Sequence, residues 1–463
     1  MSRQNSLWKI LILAIIFPAI LISFSDLGPV IISLLIIIYY ISLIFIFNPK
    51  IGLFLFLLFR PCFDILSDRP IISLSNISLN ISSLVAIIII LIAIFFVAKN
   101  FKKIQLAPLK LPIIIFLLFA LLSGLISFDL TISLAEFARL LSIFSIYALS
   151  FLLINSKSDL VQLIKMLIAS TIVPGIFAFY QFFTGTGMTI PLEGIYNRIF
   201  GTFAHPNLLA YYLILPLILS LYIFLSENKK KVANLFYLIP AAILFILLAL
   251  TYTRGAWLAL IITFFIVGIF KYRAFLAIIV IILLSSYTFI QPINTRVNDL
   301  LKPKVDSSIT WRLNLWQDAI KYTGQKPLLG YGTGTAKELI LEQRGEQFGS
   351  SDPHNDYLKL TLENGLLGLL SYIWLILAII YQLLTRYFLF PKQKTLLLII
   401  ISLTLAFYIM SFADNILRNT ALQWAYWALL GAIFAVKKQT SPLPSPSQER
   451  GISHQVIKKP PVS

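Results

Sequence analysis

Acidic residues are scarce: 19 Asp and Glu stand against 37 Lys and Arg in 463 residues. Charged side chains together make up 12% of the chain, where about 25% is usual in a soluble domain. One cysteine, Cys62, excludes an internal disulfide framework and any zinc or iron–sulfur site built from cysteines. Three histidines, His205, His354 and His454, leave little for a metal cage, so no metal ligands and no cofactor are expected. Apolar residues are plentiful at 59%, against roughly 45–50% in soluble domains. A soluble fold of this composition would leave much of its apolar surface wet. Runs such as Ile31 to Phe47 and Leu111 to Phe128 approach the ~20 residues that cross ~30 Å of hydrocarbon as helix. The sequence therefore predicts an all-α polytopic integral membrane protein.

Apolar stretches and the polar breaks between them predict twelve to fourteen transmembrane helices, starting near residues 7, 28, 50, 83, 111, 131, 159, 208, 234, 255, 274, 357, 395 and 419. The third, Ile51 to Leu66, is short and carries Arg60, Pro61 and Asp64, which predicts a bent or re-entrant segment. The first is as long as a spanning helix and no A-x-A-like site follows it, so an uncleaved first span is expected. Positive residues of short loops stay on the cytoplasmic side. Lys99, Lys102, Lys103 and Lys110, then Lys229 to Lys231, Lys271 and Arg273, Arg386, Lys392 and Lys394, and Lys437 and Lys438 all fall on one face of the fourteen-span arrangement. Both termini are expected on that cytoplasmic face. The +18 net charge is then mostly this loop bias, and nucleic acid is not an expected partner. Residues 437–463, rich in Pro and Ser, read as a disordered cytoplasmic tail.

The alternate breaks face outward: Thr184 to Asn207, Thr251 to Arg254, and the long stretch 291–356. That last stretch holds eight basic and eight acidic residues and is too long for a bare connector. Asn314 to Tyr322, preceded by Arg312, reads as a short amphipathic helix containing Trp316, and Ala336 to Gln343 as a second. Between them lies Pro327-Leu-Leu-Gly330-Tyr-Gly332-Thr-Gly334, which lacks the strand, helix and spacing of a dinucleotide fingerprint. Its glycines predict a tight turn that lets backbones approach closely. The stretch closes on Pro353-His354-Asn355-Asp356, where the next span begins and Asn355 or Asp356 can cap it.

Arg198, Arg254 and Arg312 all stand in outward breaks. Singly, each can snorkel to headgroups; together they would make a cationic pocket for a phosphate or diphosphate, whose oxygens guanidinium groups bind in pairs. His205 sits in a His-Pro-Asn turn and is expected to stabilise it. His354, at the start of a span, has the imidazole suited to accepting a hydroxyl proton near pH 7. Glu136 and Arg139, three apart on one helix, are expected to pair, while Glu363 is a carboxylate in an otherwise apolar span that either grips a ligand or bonds a neighbouring helix.

The ordered set Arg198-x-x-Gly-Thr-Phe-x-x-Pro-Asn207, Thr251-x-Thr253-Arg254-Gly-Ala-Trp257, Arg312-x-x-x-Trp316, Pro327-Leu-Leu-Gly330-x-Gly332-x-Gly334 and His354-Asn355-x-x-Leu358 with Glu363-x-Gly365 resembles the O-antigen ligase and polymerase superfamily. The motifs cover about residues 195 to 370 in the family's order. The resemblance implies a GT-C-like fold with one long periplasmic loop carrying short helices. It divides the chain into N-terminal spans (1–183), a catalytic membrane region (184–436) with the periplasmic loop 291–356, and the tail 437–463. It further implies a metal-independent, inverting glycosyltransferase of the bacterial inner membrane. Such enzymes move a glycan from an undecaprenyl-diphosphate carrier to a hydroxyl of a glycan, lipid A core or protein acceptor at the periplasmic face. Positions matching the family's motifs make Arg254 and Arg312 the diphosphate ligands and His354 the group that acts on the acceptor. Arg198, Asn207, Thr253, Trp316, Asn355 and Glu363, in the same motifs, are candidate substrate-binding residues. Ligases of this family usually have twelve spans, fewer than the fourteen counted here. A transporter is the rival reading, since some members carry an inorganic-carbon transport label. It would place ionisable residues at the bilayer midplane in broken helices, whereas the candidates here gather at one face.

Overall fold

The breaks in hydropathy supply the caps that start the helices. In the computed structural model, which describes residues 28–66, 71–74, 77–190, 195–225, 235–277, 279–280, 308–344 and 352–436, side chains of Asn48, Asn80, Asp129, Asn355 and Asn419 each accept a backbone N–H of a following helix. Ser156 and Asp159 form a reciprocal capping box. The resulting helices are α1 (Pro29–Phe47), α2 (Pro49–Phe59), α3 (Ile81–Lys99), α4 (Lys110–Leu125), α5 (Leu130–Leu153), α6 (Lys157–Ala169), α7 (Ile172–Thr184), α8 (Pro206–Leu225), α9 (Leu238–Leu250), α10 (Arg254–Phe270), α11 (Ser308–Thr323), α12 (Ala336–Arg344), α13 (Asp356–Leu389), α14 (Lys394–Met410) and α15 (Thr420–Ala435). Two small antiparallel hairpins sit in the connections, β1 (Ile72–Leu74) with β2 (Ile77–Leu79) and β3 (Met188–Ile190) with β4 (Ile195–Arg198).

Seven described segments are long and apolar enough to cross a membrane, and α4, α9, α10 and α15 are shorter apolar helices. The protein is an all-α, multi-pass membrane protein. Apolar side chains line the outside as well as the inside, as in Phe183 at the end of α7 and Phe95 on α3, and this is what a lipid-facing surface requires. Apart from one break in α13, polar backbone is satisfied within the helices, the condition for lying in hydrocarbon. α15 is the central post: residues Ala421 to Phe434 are all buried, and α15 packs along α5, which also packs on α3. The expected bend in the third span is present, with α2 passing into a 3₁₀ turn over Arg60–Leu66 where Arg60 Nη1 meets Asp64 at 2.8 Å. The expected spans near residue 7 and most of that near 274, Lys229 to Lys231, and the tail 437–463 lie outside the described residues.

α13 is two helices joined across a kink. Gly365 breaks it with φ 65° and ψ −168°, leaving backbone groups without their intrahelical partners. The glycine-rich turn supplies those partners: Tyr331 N–H donates to Leu362 O and Gly332 N–H to Glu363 O, each at 3.0 Å, while Leu366 N–H donates to Pro327 O at 2.8 Å. Ser123 Oγ adds a bond to Glu363 O at 2.6 Å. A Cβ on Gly330, itself at φ 69°, would lie 2.4 Å from Glu363 O. The close approach expected of these glycines is therefore made onto the helix break. Gly330→Val is expected to destabilise the protein by at least ~2 kcal/mol, from left-handed strain plus the clash. A thermal unfolding midpoint in detergent equal to the wild type's would show that the turn does not need this seat.

Candidate active site

Four loops meet through one chain of hydrogen bonds. β4 delivers Arg198, which is buried; its Nε donates to Thr251 O at 2.8 Å and its Nη2 to Thr253 Oγ1 at 3.1 Å and Asn207 Oδ1 at 3.0 Å. This clamp fixes the turn 251–253 at the head of α10, so Arg254 starts that helix beside it. Asn207, in the first turn of α8, turns its Nδ2 to Asp414 Oδ2 at 2.8 Å. Asp414 lies between α14 and α15 and holds His354 Nδ1 through Oδ1 at 3.2 Å. From the other side, α11 brings Arg312, whose Nη1 donates to Ala413 O at 2.9 Å, and Trp316, whose Nε1 donates to Pro353 O at 2.7 Å. Asn355 caps α13 by accepting from Tyr357 and Leu358 N–H.

Among the described residues, the non-glycine positions with positive φ are Tyr252 (φ 50°) and His354 (φ 48°), and both belong to these loops. Each such backbone costs about 1–3 kcal/mol and persists only where its surroundings hold it. Here the Arg198 bond to Thr251 O grips one and the Trp316 bond to Pro353 O grips the other.

Burial works to raise the Asp414 carboxyl, but the hydrogen bond to His354, with Arg312 beyond, holds it below the usual carboxylate range. Burial and then the Arg198 charge push His205 down to about 4. Its Nδ1 accepts the Asn207 N–H at 3.1 Å, so it is a neutral turn brace, the role its His-Pro-Asn setting suggests. One detail of Arg312 stands apart: its Nε is buried and, among the described residues, meets no acceptor. A buried unsatisfied donor in a native site calls for an absent ligand atom or water.

The structure thus brings Arg198, Asn207, Thr253, His354 and Asn355 into adjoining loops, with Arg254 at the head of α10 and Arg312 and Trp316 on the covering helix α11. Glu363 is placed differently. It lies at the break of α13, where its Oε1 accepts the Ala336 N–H at the start of α12 (3.3 Å) and sits 3.8 Å from Lys359 Nζ. Asp414 is the residue that sequence reasoning passed over, and the signal was modest: a lone carboxylate in the short break between the last two spans. Among the described residues, no group of three His, Cys, Asp or Glu side chains is placed to hold a metal ion.

Fold and site together define a multi-pass membrane protein with a polar, arginine- and histidine-bearing centre where its spans meet its loops. Residues 239–373 match the family model described as O-antigen ligase, so the resemblance in the motifs is borne out across the stretch that carries Arg254, Arg312 and His354. A putative polysaccharide ligase of Rickettsia conorii (strain ATCC VR-613 / Malish 7) is 26% identical over 282 residues, covering 58% of this chain. The matched region spans 66% of that relative's own length.

Proposed function

We propose that the protein is a glycosyltransferase of the O-antigen ligase or polymerase type, moving a glycan from an undecaprenyl-diphosphate carrier to an acceptor hydroxyl. The family match and the polysaccharide ligase relative support a ligase-like activity. The observation that carries the finer reading is Arg312, a guanidinium whose buried Nε meets no acceptor among the described residues, set one residue's backbone away from the Asp414–His354 pair. Glycosyl transfer from a diphosphate needs the charge on the leaving group stabilised, and Arg312 and Arg254 would supply that electrostatic term. With Nδ1 turned to Asp414, His354 would take the acceptor proton on Nε2. The acceptor oxygen then bonds to the anomeric carbon from the face opposite the diphosphate. The C–O bond to the carrier breaks, its electron pair leaves with the diphosphate, and the configuration inverts. The membrane is the bacterial inner membrane, with both termini cytoplasmic and the site on the periplasmic side, where lipid-linked donors are present and nucleotide sugars are not.

Two measurements test this reading. A deletion strain is expected to accumulate carrier-linked glycan, as full-length polymer if a ligase is lost and as single repeats if a polymerase is lost; an unchanged lipid-linked pool refutes the proposal. A reporter fused after Gly330 is expected outside and one after Lys230 inside, and the reverse pattern would place the site on the wrong face.

A further inference from the structure

α8 carries two consecutive tyrosines, Tyr211 and Tyr212, both buried, at 2% and 1% exposure. Their hydroxyls fare differently. Tyr212 Oη shares a hydrogen bond with Ser170 Oγ at 2.5 Å, whereas Tyr211 Oη meets no partner among the described residues. A buried hydroxyl left unpaired costs the folded protein free energy, so its presence calls for an absent partner.

Tyr211 follows Asn207 by one turn of α8, and a helical tyrosine leans back toward the N-terminus of its helix, which returns the hydroxyl to the level of Asn207. The tip reaches the head of α10. A Cβ on Gly255 would clash with Tyr211 Oη, so the residue after Arg254 is one with no side chain in the way. The charges of Asp414 and Arg312 both act on Tyr211. Asp414 is not the missing partner: its Oδ2 accepts from Asn207 Nδ2 at 2.8 Å, and its Oδ1 accepts the Asn415 N–H at 2.9 Å and meets His354 Nδ1 at 3.2 Å. The hydroxyl proton of Tyr211 is left over. Around it stand Arg254, the positive end of the α10 dipole, and Arg312 with its buried Nε, a setting in which the missing acceptor is an anionic oxygen.

We propose that Tyr211 is a further substrate-binding residue, donating its hydroxyl to a phosphate oxygen of the donor's diphosphate at the head of α10, alongside Arg254 and Arg312. The assignment rests on the transferase reading. Tyr211 keeps its proton throughout and acts as a neutral donor among cations. Its hydroxyl is unpaired in the empty site and paired in the complex, so the same oxygen lowers stability before binding and raises affinity afterwards.

The test compares Tyr211→Phe with Tyr212→Phe in the intact protein in nanodiscs, each variant losing one hydroxyl and nothing else. Two quantities are read: the thermal unfolding midpoint without ligand, and the affinity for undecaprenyl diphosphate. Tyr211→Phe is expected to unfold no lower than the wild type, because the oxygen it loses is unpaired, and to bind undecaprenyl diphosphate about tenfold more weakly, the scale of one hydrogen bond to a charged group. Tyr212→Phe is expected to do the reverse, with a lower midpoint once the Ser170 bond is gone and wild-type affinity. A lowered midpoint in Tyr211→Phe would show that its hydroxyl already has a partner inside the protein, and equal weakening in both variants would mark a packing effect; either overturns the assignment. The same titration separates the two ideas. A wild type that does not bind undecaprenyl diphosphate sinks the diphosphate reading together with Tyr211, whereas binding unaffected by Tyr211→Phe sinks Tyr211 alone.

Discussion

His354→Ala is expected to lower glycan transfer by about a thousandfold, within the range that a positioned general base contributes. The membrane level of the protein should stay normal, because the backbone at His354 is held by Trp316 through Pro353. Alanine at φ 48° adds only local strain. The informative readout is single-turnover transfer from a purified lipid-linked donor. Loss of transfer with donor binding intact identifies the acceptor side of the reaction as the step that fails. Asp414→Asn provides the companion measurement. It keeps the shape and one hydrogen bond but removes the charge facing the imidazole, so a smaller loss in turnover is expected, with donor affinity unchanged. Full activity in His354→Ala would eliminate the histidine's proposed role.

Replacing Arg312 by alanine is expected to cost about a hundredfold or more in turnover, the effect of removing one preorganised donor to a developing negative charge. Arg312→Lys separates charge from geometry. Lysine restores a cation but cannot reproduce the planar fork, so most of the loss should remain. One Nη already serves Ala413 O, and the Nε that meets no acceptor among the described residues is the group a phosphate oxygen would satisfy. Lysine has nothing at that place. The same substitutions at Arg254 should behave alike, and unchanged donor affinity in the alanine variants of both would remove the diphosphate site from the proposal.

Much of this was legible in the sequence where the signal is local. The apolar runs and the caps between them located the spans, because a helix in hydrocarbon must be continuous and apolar and can end only where polar groups resume. The glycine spacing of residues 330 to 334 announced a close backbone approach, and Glu136 with Arg139 announced an ion pair. What stayed hidden is long-range. Asp414 reaches His354 across sixty residues, and nothing in the nine residues from Ser411 to Asn419 distinguishes it from a carboxylate at a membrane face. The break at Gly365 was masked in the same way, since hydropathy runs on through α13 and the partners that repair the gap come from a separate loop. Glu363 consequently reads as a carboxylate in an unbroken span, while the folded chain uses it to receive the first N–H of α12.

The repaired gap in α13 governs how this protein's parts can be exchanged. Residues 327 to 332 and 362 to 367 complete one another's main-chain pairing, so neither is a module in its own right. A chimaera that grafts the loop before α13 from one homologue onto the bundle of another must move both stretches together. Joining at the N-terminal end of α13, the boundary that hydropathy alone would recommend, would leave a severed seam inside the protein.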